Sequence, residues 1–174
     1  MTEKLLDLAR GEADISIRAA EPTATDGALF GRKIAEAPFA LYASRSYVDR
    51  YGCIRTIKDI NNHAVVRYDG AMSNSRAAQW LRAAAQNATV AASGDTLAAL
   101  IMAVKSGAAV APLPVLIGQD DGDFVRVLGP ISELDHSFYL LMHRDLKRTP
   151  RVRAFFGFVV DEVDTVRRLL AGEA

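Results

Sequence analysis

Four places in this 174-residue chain put polar side chains where a small molecule could be held. Arg18 ends the stretch Ala13-Asp14-Ile15-Ser16-Ile17-Arg18, which reads as a strand delivering a guanidinium at its carboxyl end. Ligands of α/β domains collect beyond such strand ends, and a guanidinium grips a carboxylate with two parallel hydrogen bonds. The plainer role for Arg18 is a surface ion pair with Glu12 or Glu36. Ser93-Gly94-Asp95-Thr96 leads from a strand into a helix, whose first turn offers free N–H groups and a positive dipole end. Ser93 or Asp95 also reads as the cap of that helix, and the Asp95 carboxylate competes for the N–H groups an anion would use. Ser44 and Ser46 open another helix and carry the same double reading. Tyr68, at a strand end before a loop, suits either a cleft wall or half-exposed packing.

Catalytic and metal chemistry find little support. His63, His136 and His143 are far apart and show no ligand spacing. Cys53 is the single cysteine, which excludes an intrachain disulfide and a cysteine-based zinc site. Ser16 lies on a strand without the flanking glycines of a nucleophile elbow. Gly107 and Gly118 build no phosphate loop, and Asp120-Asp121-Gly122-Asp123 lacks the spacing and the glutamate of an EF-hand. The expectation is therefore a non-enzymatic protein without metal or cofactor. Lys+Arg and Asp+Glu both number 21, so the chain has no net field with which to hold a polyanion. No apolar run approaches the roughly 18 residues of a membrane span, and no export signal opens the chain. The default is a cytoplasmic protein with no membrane partner.

The positioning elements follow from periodicity. Glu3 to Arg10 reads as a helix stopped by Gly11, and Ala13 to Arg18 as a strand. Residues 19–27 form a loop. Strands are expected at 28–34, 38–43, 63–68, 89–92, 108–111, 124–128 and 137–143. The stretch 38–43, apolar nearly throughout, reads as buried on both faces. Helices follow Ser44 or Ser46, run over 75–86, and run from Gly94-Asp95-Thr96 to a stop at Gly107. Pro112-Leu113-Pro114 reads as bending into a short helix or turn. A last helix from Pro150 carries Val152, Phe155, Val159, Val163, Val166 and Leu170 on one face.

This alternation predicts an α/β fold with a largely parallel sheet. The strands at 38–43 and 137–143 bracket a self-contained α/β unit. The expectation is two lobes, 1–38 with 142–174 and 44–136, joined by those strands as hinges, with Arg18, Ser44, Tyr68, Ser93, Asp95 and Thr96 around one cleft. The first strand would begin at Ala13 without a preceding partner, leaving the first lobe incomplete and exposing an edge and an apolar patch.

Several segments together resemble the effector-binding domain of LysR-type transcriptional regulators. They are Leu8-Ala9-Arg10-Gly11-Glu12-Ala13-Asp14-Ile15-Ser16-Ile17-Arg18; Leu41-Tyr42-Ala43-Ser44 with Tyr47; Ala103-Val104-Lys105-Ser106-Gly107-Ala108-Ala109-Val110-Ala111-Pro112-Leu113-Pro114; His143-Arg144-Asp145-Leu146; and Pro150-Arg151-Val152-Arg153-Ala154-Phe155-Phe156. The resemblance implies a periplasmic-binding-protein-like type II domain of two α/β lobes. It implies a small-molecule effector, homodimers or larger homo-oligomers, and DNA contact only through a helix-turn-helix domain that this chain lacks. It also implies an effector pocket drawing on the positions of Arg18, Ser44, Tyr68 and Ser93 to Thr96. Arg18 and a helix N-terminus favour a small anion such as a carboxylate. The alternative is a solute-binding, transport-associated protein of the same fold.

Overall fold

A computed structural model describes residues 6–19, 27–119 and 122–171, without the side chains of residues 166 and 169–171. By contact density the chain divides into two units, Met1–Ala37 with His136–Ala174, and Pro38–Asp135.

The first unit contains β1 (Ile15–Arg18), β2 (Leu29–Ala37) and β8 (His136–His143). Their order is β1-β8-β2, and both pairings are antiparallel. The parallel sheet expected here is thus not what the described strands form: β8 returns between two strands from the start of the chain. Ile34, Leu140, Val159 and Val163 form a small core, with Ile15, Phe138, Phe156 and Val160 packed on it. The last two of those core valines sit on α5 (Pro150–Asp161) and α6 (Val163–Ala171), so the single terminal helix expected breaks at Glu162. Val152 is buried and Phe155 about half exposed, while the side chains of Val166 and Leu170 lie outside the described residues. The helix expected over Glu3 to Arg10 is also absent in its described part. Residues 6–12 make a turn, in which Gly11 N–H donates to Leu8 O and Glu12 N–H to Asp7 O. Most of the 19–27 loop lies outside the described residues.

The second unit is built on β3 (Phe39–Ser44), whose side chains from Ala40 onward are all buried. It pairs antiparallel with β6 (Ala111–Pro114) on one side and β7 (Phe124–Leu128) on the other. Parallel strands β4 (Ala64–Tyr68) and β5 (Thr89–Gly94) continue beyond β6. They are tied to it by Val66 N–H donating to Val110 O and Val110 N–H to Ala64 O. Pro112-Leu113-Pro114 is itself the end of β6, and the short helix expected comes after it. The short helix α4 (Val115–Gln119) follows it directly. Packed around this sheet are α1 (Arg45–Tyr51), α2 (Arg76–Ala84) and α3 (Leu97–Lys105). Leu41, Ile60, Val66, Leu100, Val104, Val110, Leu113 and Leu134 fill the core. Gly107, at φ +74°, ends α3 as its position after the apolar stripe suggested.

The two strands read as hinges each belong to one unit's sheet. The chain passes between the units beside them, at Ala37–Pro38 and Asp135–His136.

Gly118 of α4 lies so close to Tyr42 that an added Cβ would sit 2.1 Å from the ring. Tyr42 is itself buried between β6 and β7 and has no room to swing away. Gly118→Ala should therefore lower stability by about 1–3 kcal/mol, the usual cost of overpacking. Urea denaturation followed by circular dichroism measures it; an unchanged midpoint would mean that α4 is not seated on Tyr42.

Candidate functional site

The second unit brings several expected residues to one edge of its sheet. Because β4 and β5 are parallel and in register as Arg67↔Ser93 and Tyr68↔Gly94, both strands end together. Asp69 N–H, just past β4, donates to Gly94 O at 2.8 Å. The chain then turns through Gly70, at φ +53°, a conformation that side chains resist. A Cβ there would meet Asp95 Cβ at 3.1 Å, so the two loops touch. α3 begins immediately afterwards.

Thr96 is its N-cap. Its side chain accepts from Ala99 N–H at 3.2 Å, and its carbonyl takes Leu100 N–H. The capping role expected of Ser93 or Asp95 thus belongs to Thr96. The reason is geometric: β5 continues through Gly94, so helical backbone starts only at Leu97. The N–H groups of Leu97 and Ala98, ahead of the capped Ala99, are the ones left to point outward at the positive end of the helix.

The polar side chains at this edge are largely matched to each other. Arg67 holds Asp69 with two hydrogen bonds, Nε to Oδ1 at 2.8 Å and Nη2 to Oδ2 at 3.2 Å. The bond from Arg67, helped by one from Ser93, keeps the Asp69 carboxyl below the usual carboxylate range. Ser93 is therefore exposed yet engaged, and Asp95 stays exposed beside Gly70. Tyr68 does not present its hydroxyl at the edge. Strand alternation turns it inward, where it is 4% exposed and donates to Pro112 O across the sheet. Burial pushes its phenol far above the ordinary range. It fastens β4 to β6 as a fully buried core residue, where a cleft wall or half-exposed packing was expected.

Ser44 does not join this group. It ends β3, the one strand of the sheet running opposite to the rest, so its carboxyl end lies at the other edge. It is 3% exposed, caps α1 by accepting from Tyr47 N–H at 3.1 Å, and shares a hydrogen bond with Ser46 at 3.0 Å. Both serines face Gly107 at the far end of α3. The grouping assumed that all strand ends share one side, and the reversed β3 breaks that assumption.

Arg18, in the first unit, donates through Nη2 to Leu6 O at 2.7 Å and through Nε to Ser16 Oγ at 3.1 Å. Glu36, weighed as its ion-pair partner, faces Lys33 and Ser137 instead.

Arg67, Asp69 and Gly70 were missed from sequence. Their signal was an Arg-x-Asp-Gly run straddling a strand end, which reads equally as a solvated turn. Among the described residues no group of three or more His, Cys, Asp or Glu could hold a metal, and no helix is long and apolar enough to cross a membrane.

The LysR substrate-binding domain model matches residues 1–164. This chain belongs to that family. Its fold is accordingly the periplasmic-binding-protein-like type II arrangement of mixed α/β units. Solved structures agree on the fold. The chain superposes on CrgA, a LysR-type transcriptional regulator from Neisseria meningitidis, with a TM-score of 0.73 at 21% identity, covering 93% of this chain and 56% of that one. For the CrgA regulatory domain alone the values are 0.69 and 24%, with 93% and 81% covered. Full-length AphB, a virulence activator from Vibrio cholerae, gives 0.66 at 22%, covering 91% and 55%. The chain thus spans little more than half the length of the full regulators it resembles. No curated protein matches its sequence.

The Arg67–Asp69 pair makes the edge sensitive to pH with a defined sign. A depressed folded pKa contributes stability above the unfolded carboxylate value near 4, and loses it as pH falls through the folded value. A carboxyl-detected NMR titration should find Asp69 below the ordinary aspartate value, and Arg67→Gln should raise it. An Asp69 midpoint that ignores Arg67→Gln would show that the pair does not form in solution.

Proposed function

We propose that this chain is the effector-sensing domain of a LysR-type transcriptional regulator, and that it binds a small molecule at the edge formed by Asp69–Gly70 and Ser93–Thr96. The family match over residues 1–164 carries the first half of the reading. For the second half, the supporting observation is the paired ends of β4 and β5 against the start of α3, whose first turn carries the positive end of the helix. The chemistry available is recognition: donors and acceptors held in place by their own hydrogen bonds, with no nucleophile beside a base. Nothing described favours the transport-associated alternative.

The finer reading is a carboxylate effector. Within the first unit, taken by itself, Arg18 is the cation that suits such a ligand: two guanidinium nitrogens hold the chain, and Nη1 makes no hydrogen bond among the described residues. In a regulator the domain acts in the cytoplasm as part of a homo-oligomer. DNA contact would come from a helix-turn-helix domain outside these residues.

Isothermal titration with a panel of small mono- and dicarboxylates, and their neutral amides, tests the effector reading. Arg18→Ala should weaken a carboxylate hit tenfold or more and leave its amide nearly unchanged. Thr96→Ala, which releases the cap of α3, should weaken both. Failure of every compound to bind, or a carboxylate indifferent to both substitutions, would sink the site. The regulator reading is separable: the full-length gene product should shift its own promoter DNA in a gel, whatever the effector proves to be.

A further inference from the structure

We propose that the second unit carries a separate binding site for a small organic cation, an amine or guanidine on an apolar body, in the hollow between Ile57 and Glu133. The hollow has a volume of about 300 Å³ and is lined by Ile57, Leu128, Gly129, Pro130, Ile131 and Glu133. That volume is at the lower end of the range in which proteins hold small molecules, and apolar walls with one polar group are the usual lining. The hollow opens past the end of β7, not at the paired ends of β4 and β5, and the inference does not rest on the effector reading.

Both walls are fixed before anything binds. On one side, the short 3-10 helix over Ile57–Asn62 is tied at its start by Asp59. The Oδ2 of Asp59 accepts from Thr56 N–H at 2.8 Å and from Arg55 N–H at 3.2 Å. Ile57 is held in that turn yet stays 46% exposed. On the other side, Gly129 passes so close to β3 that an added Cβ would sit 3.0 Å from Ala40 Cβ. Ile131 N–H donates to Phe39 O at 2.8 Å, and Leu134 N–H donates to Ile131 O at 2.9 Å. Preformed walls lower the ordering cost of binding.

The charge of the occupant follows from Glu133. Its Oε2 accepts from Ser132 Oγ at 3.3 Å, and its Oε1 makes no hydrogen bond among the described residues. None of the described lining residues carries a positive charge. A carboxylate beside apolar walls repels an anion, and a neutral apolar guest takes water from it without replacing the lost hydrogen bonds. An ammonium or guanidinium answers it with a charge-assisted hydrogen bond, while the hydrocarbon body covers Ile57 and Pro130.

Methyl NMR of the full chain, titrated to about 20 mM with benzylamine, benzyl alcohol or benzoate, tests the site. Benzylamine should shift the Ile57, Leu128 and Ile131 methyls with half-saturation at roughly 1 mM, the affinity open to a fragment of this size. Benzyl alcohol should bind about fivefold more weakly, because an exposed charge pair contributes modestly, and benzoate more weakly still. Glu133→Gln should bring benzylamine down to the level of benzyl alcohol and leave the alcohol unchanged. Ile57→Ser should weaken both. If either variant fails to fold by circular dichroism, the wild type decides: its preference for benzylamine over the alcohol should vanish in about 0.5 M salt. Methyls that ignore benzylamine overturn the proposal, as does an alcohol or a benzoate that binds as tightly, or a benzylamine affinity indifferent to Glu133→Gln. Shifts confined to residues 69–70 and 93–96 also overturn it, and leave the effector site standing.

Discussion

The second unit depends on one buried strand running against its neighbours. β3 carries almost no exposed side-chain surface and is hydrogen-bonded along both edges, to β6 and to β7. Every other strand of that sheet runs the opposite way. The chain therefore enters the unit at the edge where β4 and β5 finish, and Pro38 O accepts there from Val115 N–H, directly after β6. Loop ends and a helix start gather at that edge because β4 and β5 run parallel, and the reversal of β3 sends Ser44 and α1 to the other.

What stands at that edge is a set of groups that mostly satisfy one another. Arg67, Asp69 and Ser93 form a closed polar cluster, and Thr96 closes the first turn of α3. Self-satisfied groups hold their positions without a ligand, which lowers the ordering cost of binding one. The tyrosine beneath is spent on the scaffold: its hydroxyl bonds a backbone carbonyl across the sheet, and burial keeps it protonated. This is architecture suited to recognition rather than to proton transfer.

The first unit is held differently. Its described sheet has three strands and its buried core is a handful of aliphatic side chains, against a far larger core in the second unit. A thin core leaves more apolar surface in water. Leu6, Ile17, Phe155 and Phe158 are its visible remainder among the described residues, and the last three lie on β1 or α5. Among the described residues, Ile17 on β1 and Phe155 on α5 leave apolar surface beside that strand.

Local chemistry was legible from sequence wherever a local rule decides the outcome. A serine cap at Ser44 or Ser46, the apolar run that became β3, the Gly107 stop and Pro150 opening α5 all depend on a few neighbouring residues. The family motifs likewise sit in contiguous segments, and family membership was read from them alone. Strand direction was not legible, since an apolar run reads identically in both directions. With it went the grouping of the site: Tyr68 was drawn inward by a carbonyl 44 residues away, and Ser44 was sent to the far edge. The cap of α3 moved to Thr96 because β5 ran on until Gly94, a length set by its pairing with β4. Propensity, capping and apolar period belong to the sequence. Strand polarity and register belong to the tertiary structure, because hydrogen bonds between distant strands choose them, and no short window of residues contains both partners.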